Sequence, residues 1–232
     1  MKASQIRAQA REKLAGKWKM GALMTFVFGI LYYLIFLLLN FVPVIGSIAA
    51  LLISIPISYG FIVSIMKLEN NEETGVLDFF GNGFSEFGRS WKVNLWIFFK
   101  AGLPMLLAYI VLISATLATT IMGENNIFIL LLVLVFFFAI MIYFCIKLYS
   151  FQLAFFILKD NPDITAKAAV EKSAELMKGN MWSYFCLQLS FIGWAILSVF
   201  TLYIGYFWLI PYMQFAQISF YKNLLDNPVS EE

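Results

Sequence analysis

Long runs without charge constrain this chain more than any other feature of its sequence. No Lys, Arg, Asp or Glu occurs in residues 20–66 or 179–221, and Glu124 is the single exception in residues 101–146. A helix needs about 20 apolar residues to cross the hydrocarbon core of a bilayer. Hydrophobic residues make up 62% of the chain and charged residues 13%, far from the composition of soluble domains. Because the runs are continuously apolar rather than alternating, they predict membrane-spanning helices and not strands.

Processing signals, disulfides and metal sites are not indicated. Six Lys or Arg residues precede the first apolar run, and no small-residue cleavage pattern follows it, so we expect the first helix to be retained. Cys145 and Cys186 lie inside apolar runs, and the chain contains no histidine. This pattern favours neither a disulfide framework nor a metal centre, and we expect no cofactor.

The predicted architecture is an all-α integral membrane protein with six transmembrane helices in three hairpins. The predicted spans are residues 18–40, 44–66, 96–121, 127–147, 182–204 and 206–222. All sixteen Lys and Arg residues lie on one side of these hairpins, whereas none lies in the outer turns, which are NFVP at 40–43, MGENN at 122–126 and YIGY at 203–206. The positive-inside rule therefore predicts that both termini are cytoplasmic and that Glu124 is outside.

A single membrane domain is predicted for residues 1–232, with cytoplasmic segments between the hairpins. Its parts are an interfacial amphipathic helix (1–17), hairpin 1 (18–66), a cytoplasmic or interfacial connection (67–90), hairpin 2 (91–158), a cytoplasmic amphipathic helix (159–180), hairpin 3 (182–222) and a C-terminal tail (223–232). Apolar stripes beside basic residues in the two amphipathic helices are typical of helices that lie in the membrane interface. The stripes are Ala3, Ile6, Ala10 and Leu14, and Ala166, Val170, Ser173 and Met177.

A glycine followed by a tryptophan precedes each predicted hairpin. The pairs are Gly16 and Trp18, Gly88 and Trp91, and Gly179 and Trp182. Glycine accepts the left-handed backbone that ends a helix and redirects the chain, and tryptophan favours the headgroup level. We therefore predict three helix-break glycines and three interfacial anchors. Before Gly179 we predict a helix with Asn161 as its N-cap and Pro162 at its first position, and in residues 75–88 a short helix and turns.

The ends of the hairpins also resemble one another. Segments that start at Tyr59, Tyr149 and Tyr212 each run from a tyrosine to a cluster of Lys, an acidic residue and Asn. We interpret this as a weak threefold internal repeat of an interfacial helix plus a hairpin. The alternative is that the cytoplasmic ends of membrane helices collect these residue types in any case.

Four short motifs resemble a known family. They are LSFIGW at 189–194, PY at 211–212, DNP at 160–162 and MKGN at 177–180. Over most of its length the chain resembles bacterial, mostly Gram-positive, multi-pass membrane proteins that are catalogued as domain of unknown function 975. The likeness is strongest at Lys147, Tyr149, Ser150, Asn161, Pro162, Ser173, Met177, Lys178, Gly179, Phe191, Gly193, Trp194, Thr201, Gly205, Trp208, Pro211, Tyr212, Phe220 and Tyr221. The resemblance implies about six helices in the bacterial cytoplasmic membrane and no established activity. The chain departs from the family at Tyr143 and Phe144, where members often carry Pro-Gly.

Motifs for catalysis and nucleotide binding do not occur in the sequence. It contains no HExxH, GxSxG or GxxxxGK[ST] pattern and no pair of carboxylates within a predicted span. GNG at 81–83 indicates a turn. The acidic residues between the first two hairpins indicate a solvated loop, with cation binding as the weaker alternative; they are Glu72, Glu73, Asp78 and Glu86. Because the net charge is only +2, we expect no nucleic-acid partner, and we expect no enzymatic activity.

Lys100 and Lys147 are predicted to share one depth in the membrane, because they lie 23 and 24 residues from Gly123 in the turn between them. If the hydrocarbon region begins just beyond both residues, the two amines lie at the inner headgroup level. If Trp91 marks the interface instead, Lys100 lies about 13 Å further along its helix, close to the midplane. We favour the shallow depth, because two mid-membrane lysines cost about 5–7 kcal/mol.

At the shallow depth these lysines predict a basic site that faces the inner leaflet. Lys100 and Lys147, with Arg89 or Lys92, would bind an anionic phosphate headgroup. No carboxylate within a predicted span is available to neutralise them. The alternative is that both lysines extend to the headgroups and bind no ligand.

Three classes of function fit these features, in decreasing order. We expect a non-enzymatic membrane protein that engages anionic lipids of the inner leaflet, an amphipathic peptide or a partner membrane protein, and we extend this hypothesis to envelope-stress tolerance. The alternative is a transporter or channel for small molecules or lipids with a site between the hairpins, since Pro56, Pro104 and Pro211 would interrupt three helices. An intramembrane enzyme comes last, because the sequence offers no nucleophile, base or metal cluster.

Overall fold

Helices are the regular secondary structure in the part of the chain that the computed structural model describes, which is residues 2–122 and 127–226, and no strand occurs there. These ranges contain twelve α-helices and one π-helical turn. They are α1 (Ala3–Leu14), α2 (Trp18–Leu39), α3 (Pro43–Glu69), α4 (Asp78–Ser85), α5 (Phe87–Ile97), the π-helical turn (Phe98–Gly102), α6 (Leu103–Met122), α7 (Ile127–Ser150), α8 (Ala154–Asp160), α9 (Ala166–Met177), α10 (Met181–Leu189), α11 (Ile192–Phe200) and α12 (Tyr206–Asp226). The all-α prediction is confirmed for these residues. The predicted outer turn around Glu124 and the end of the C-terminal tail lie outside them.

Five helical stretches are long and apolar enough to cross a membrane, by length and composition alone. They are Trp18–Leu39, Val44–Glu69, Phe87–Thr120, Leu131–Asp160 and Met181–Phe200. Several such stretches indicate a multi-pass membrane protein. Among the described helices, α12 does not qualify as a sixth stretch, so six spans in three hairpins remain a prediction.

The buried core lies toward those ends of the long helices that are next to basic residues. In α2, Met24 is buried whereas Leu38 is 65% exposed, and in α3, Ile65 is buried whereas Val44 is 73% exposed. Most of α12 is buried, because it packs against α1, α2, α3 and α11. The opposite halves of α2 and α3 expose apolar side chains, as do α6 and α7, which pack mainly on each other. Apolar surface of this extent is typical of membrane contact.

Two of the three predicted helix-break glycines have left-handed backbones. Gly16 has φ +79° and Gly179 has φ +77°, and the residue before each glycine is extended, with ψ 131° at Ala15 and 125° at Lys178. The amide of Lys17 donates to the Leu14 carbonyl at 2.9 Å, and that of Asn180 donates to the Met177 carbonyl at 3.0 Å. Both segments therefore form type II turns, which require a glycine at the third position.

The expected break at Gly88 is not found. Gly88 is the second residue of α5, and the helices α4 and α5 meet at Glu86, two residues before it. The chain then continues through the π-helical turn into α6 without a reversal. A glycine is tolerated within a helix when packing on neighbouring elements holds that helix, and α5 packs against α3 and α9. The threefold repeat remains a prediction. Of its three segments, the first and the third share the type II turn at their glycine.

The amphipathic stripes of α1 and α9 face protein. Ile6, Ala10 and Leu14 are buried where α1 packs against α10 and α12. Val170 and Met177 are buried where α9 packs against α5, α7 and α8. These stripes therefore pack on protein rather than on lipid, because a stripe shows that one face needs an apolar partner but not which partner. The interfacial position of the two helices remains a prediction.

The predicted N-cap of α9 is also wrong. The hydroxyl of Thr165 caps this helix and accepts a hydrogen bond from the Ala168 amide at 3.2 Å. Asn161 instead ends α8, where its side chain donates to the Ile157 carbonyl at 3.0 Å. Both Asn and Thr are good N-caps, so the local sequence alone does not choose between them.

The GNG segment is helical rather than a turn, because α4 packs closely on α3. A Cβ on Gly60 would come within 1.9 Å of the Phe79 carbonyl oxygen, and one on Gly83 within 2.1 Å of the Pro56 carbonyl oxygen. Asn82, which directly precedes Gly83, accepts a hydrogen bond from Lys67 at 2.8 Å. The glycines therefore allow two helix backbones to approach, and we assign the segment no binding role.

Candidate functional site

Lys100 lies in the π-helical turn and forms an ion pair. Pro104 has no N–H to donate to the Lys100 carbonyl, which accounts for the irregular turn at this place. The ammonium of Lys100 lies 3.1 Å from a carboxylate oxygen of Glu171 on α9, and both side chains are at least one-third exposed. An ion pair with this exposure contributes little stability, about 0–1 kcal/mol. Although no predicted span supplies a carboxylate, the adjacent helix α9 does.

Lys147 has a different environment at the end of α7. Its ammonium lies 5.6 Å from the centroid of the Tyr143 ring, one turn earlier in the same helix. The helix α7 packs against α9 and against the π-helical turn that carries Lys100. The two lysines therefore belong to adjoining elements, and their common depth in the membrane remains a prediction.

Arg89 is held by protein groups, although its side chain remains 28% exposed. Its guanidinium donates to Glu86 at 2.9 Å, to the Asn161 carbonyl at 3.1 Å and to the Ile164 carbonyl at 3.3 Å. These contacts fix the segment between α8 and α9 against α5. Lys92 is exposed on α5. Of the four predicted headgroup-binding residues, Lys100 and Lys147 lie on adjoining elements, whereas Arg89 has a structural role.

The three predicted tryptophan anchors have unlike surroundings. Trp182 is 72% exposed. The indole nitrogen of Trp91 donates to the Leu52 carbonyl at 3.0 Å, so this side chain joins α5 to α3. Trp18 is partly buried, and its ring centroid lies 5.9 Å from that of Tyr212. Trp182 has the exposure that an interfacial anchor needs although its ring centroid lies 5.4 Å from that of Phe185, whereas the other two are less exposed.

A cavity of about 620 Å³ lies between α1, α11, α12 and the start of α2. We name it the arginine–tryptophan cavity. Its principal lining residues are two basic and four aromatic side chains, Arg7, Arg11, Trp18, Trp194, Trp208 and Tyr212. Leu197, Leu209, Ser198, Thr201 and Gly205 complete the lining. The cavity is therefore cationic where α1 borders it and largely apolar beside α11 and α12.

Arg7 joins α1 to the helices α10, α11 and α12, which we name the third group of helices, and keeps one unused donor. One terminal nitrogen of its guanidinium donates to the Ser190 carbonyl at 3.0 Å, at the interruption between α10 and α11. Its backbone carbonyl accepts a hydrogen bond from the Tyr212 hydroxyl at 3.2 Å. The Nε atom of Arg7 is buried and has no hydrogen-bond partner in the described part of the chain. Leaving a buried N–H without an acceptor costs free energy, so an acceptor that reached this group would stabilise the protein.

A second group of contacts fixes α1 in the position that borders the cavity. The buried carboxylate of Glu69 at the end of α3 binds Lys13 at 2.6 Å and also binds Lys222 of α12. Lys17 donates to the Glu69 carbonyl at 2.9 Å. Burial lowers the pKa of the Lys17 ammonium, which Glu69 opposes and Lys13 and Lys222 reinforce. We name these four residues the Glu69 cluster, and it connects α1, α3 and α12.

A family model described as "Protein of unknown function (DUF975)" matches residues 1–228. The chain belongs to the DUF975 family. No curated protein and no solved structure matches it. Within the described ranges of this DUF975 protein, no three His, Cys, Asp or Glu side chains lie in a position to hold a metal ion.

The sequence contained signals for several cavity residues of this DUF975 protein but not for the cavity itself. Trp194, Trp208 and Tyr212 occur in the motifs that carry the family resemblance. Arg7 and Arg11 lie beside the apolar stripe of α1. Since that stripe faces α10 and α12, the neighbouring arginines reach the same group of helices. A stripe predicted to face lipid could not reveal this juxtaposition.

Proposed function

We propose that this DUF975 protein is a non-enzymatic protein of the bacterial cytoplasmic membrane that engages anionic lipid headgroups of the cytoplasmic leaflet. One observation carries this proposal. Of its sixteen Lys and Arg residues, only Lys13, Arg89, Lys100 and Lys222 form ion pairs with carboxylates in the described ranges. The remaining basic side chains are a source of positive charge, each contributing about 1 kcal/mol of attraction to an anionic membrane surface.

The proposed topology places both termini in the cytoplasm. Each of the pairs α2–α3 and α6–α7 would cross the bilayer outward and back, with the ends that lack Lys and Arg outside. The stretch formed by α10 and α11 would pair with α12 as a third hairpin, and six crossings result if this hairpin also spans the membrane. The absence of Lys and Arg from residues 20–66, 101–146 and 179–221 supports this orientation.

The chemistry of the arginine–tryptophan cavity supports a binding role more than a catalytic one. Its described lining residues include the hydroxyls of Ser198 and Thr201 but no carboxylate, histidine or cysteine. Ser198 donates to the Trp194 carbonyl at 2.8 Å, and Thr201 donates to the Ser198 carbonyl at 2.9 Å. Hydroxyls without an adjacent base are weak nucleophiles.

The proposed function predicts an enrichment of anionic lipid around the protein. The purified protein would be placed in nanodiscs with equal amounts of phosphatidylglycerol and phosphatidylcholine, extracted gently, and its co-purifying lipid quantified. We expect phosphatidylglycerol to exceed phosphatidylcholine, and K100Q with K147Q to reduce the excess because two positive charges are lost from this face, one of them only partly balanced by the exposed Glu171. K100R with K147R is the matched control and should keep the excess. Equal amounts of both lipids around the unmodified protein would contradict the proposal.

Transport of a small molecule or lipid is the second candidate. The interruption between α10 and α11 favours it, because Arg7 of the cavity binds the Ser190 carbonyl there and transporter sites are commonly formed where helices are broken. Movement of labelled lipid between leaflets of liposomes that contain the purified protein would support this function instead. A partner membrane protein and an amphipathic peptide remain predictions for the same cytoplasmic face.

A further inference from the structure

We infer that the arginine–tryptophan cavity holds one anionic phospholipid, with its phosphate at Arg7 and Arg11 and an acyl chain along Trp194, Leu197 and Trp208. The inference rests on the proposed function and gives it a discrete site, separate from the general attraction of the cytoplasmic face. The volume of about 620 Å³ lies within the range of pockets that hold small molecules, roughly 300–1,000 Å³.

The two arginines provide the groups that a phosphate needs. Arg7 and Arg11 are four residues apart on α1, so their side chains lie on neighbouring turns of one helix face, and both border the cavity. Arg7 uses one terminal nitrogen to hold the Ser190 carbonyl, which fixes its guanidinium, while its buried Nε lacks an acceptor. A phosphate oxygen is a strong acceptor for guanidinium donors, and arginine suits this contact better than lysine.

The remaining wall of the cavity is apolar and fits an acyl chain better than a polar group. Trp194, Leu197 and Trp208 each remain about half exposed although they border a cavity. Indole side chains favour the level between headgroups and hydrocarbon, where one part of the ring is apolar and the N–H remains accessible. A free phosphate ion would leave this apolar surface uncovered. The lining of the cavity therefore fits an amphiphile with one charged and one apolar end.

Contacts between α2 and α12 indicate the depth of the site. Trp18 contacts Tyr212, and further along α2 the rings of Phe26 and Phe207 lie 5.1 Å apart. A Cβ on Gly21, between them, would come within 3.0 Å of Pro211. The two helices are therefore antiparallel, and α12 begins at Tyr206, beside the middle of α2.

Beyond Phe26, α2 continues to Leu39, which is about 20 Å at 1.5 Å per residue. The third group of helices thus extends only along the first part of α2, on the side of the arginines. If Trp18 lies at the inner headgroup level, the arginines lie there too, and the apolar wall extends into the cytoplasmic leaflet. This is the orientation that a phospholipid of that leaflet already has, so it could enter sideways without turning over.

Native mass spectrometry of the full chain tests this inference. The protein would be purified from phosphatidylglycerol nanodiscs, and the fraction that retains one lipid measured at rising collision energy. We expect R7Q with R11Q to lower this fraction at least about tenfold, because charge-assisted hydrogen bonds are lost. K2Q with K19Q removes the same charge from exposed positions and should leave the fraction unchanged. Equal retention by R7Q with R11Q and by this control would overturn the inference.

Two further measurements test the apolar part of the cavity and distinguish a lipid from a free phosphate compound. L197W fills the apolar part of the cavity and leaves both arginines intact, so it should also lose the retained lipid, even if the arginine variant does not fold. Phosphatidylglycerol should raise the melting temperature of the unmodified protein in detergent, whereas glycerol 3-phosphate at equal concentration should not. Equal stabilisation by glycerol 3-phosphate, or unchanged retention in L197W, would exclude a lipid. The excess of phosphatidylglycerol measured under the proposed function can fail independently, because it depends on Lys100 and Lys147.

Discussion

Glu69 is the residue at which α1, α3 and α12 meet. Its side chain is 2% exposed, and its carboxylate binds Lys13 and Lys222, which come from opposite ends of the chain. The pairing could not be predicted from the sequence, because Glu69 there belongs to a cluster of polar residues after an apolar run. Burying a carboxylate is unfavourable unless charged donors compensate for its lost hydration. Glu69 therefore depends on α1 docking, and α1 docking in turn positions Arg7 and Arg11.

Replacement of Glu69 should destabilise the protein. In E69Q the amide cannot accept from both lysines with the strength of a carboxylate, so we expect a loss of about 1–3 kcal/mol and a melting temperature lower by several degrees in detergent. Tryptophan fluorescence during heating would measure this change. Glu12 is an exposed carboxylate on α1, and E12Q serves as the matched control with little expected effect. Equal melting temperatures for the two variants would show that Glu69 does not hold α1.

At the scale of elements, local turn chemistry was predictable and tertiary packing was not. Gly16 and Gly179 adopt the left-handed backbone because the type II turns are formed by four consecutive residues. Gly88 has a similar sequence context, yet packing of α5 on α3 and α9 keeps it helical. The same limit applies to Lys100, because spacing predicts only its depth relative to Lys147, while its partner Glu171 is supplied by a helix distant in sequence.

The three glycines provide a matched set of variants. G16A and G179A place a Cβ on a left-handed backbone and should each cost about 1–2 kcal/mol of stability. G88A places a Cβ in open space within a helix and should be neutral or stabilising by up to about 1 kcal/mol. Melting temperatures in detergent would separate the two groups. A large loss in G88A, together with tolerance in G16A, would mean that the turns and the helix α5 are assigned incorrectly.

At the scale of the whole molecule, charge and hydropathy predicted a multi-pass helical protein, but not how far each helix pair extends. The uncharged runs are similar in length, so the sequence suggested three equal hairpins. Contacts along α2 distinguish them, because α12 begins beside Phe26 whereas α3 accompanies α2 to its end. The arginine–tryptophan cavity depends on this inequality. It also depends on contacts between the first and last helices, which no local pattern encodes.

Cysteine labelling can measure how far the third group of helices extends. In a background with C145A and C186A, F41C lies in the turn between α2 and α3, and F200C at the end of α11, both at strongly exposed positions. We expect a membrane-impermeant maleimide to label F41C in intact cells but not F200C, because the latter would lie within the bilayer. K178C should be labelled only after the cells are permeabilised, which reports a cytoplasmic position. Labelling of F200C equal to that of F41C would instead establish a full third crossing, and the cavity would then lie deeper than the headgroups that its arginines are proposed to bind.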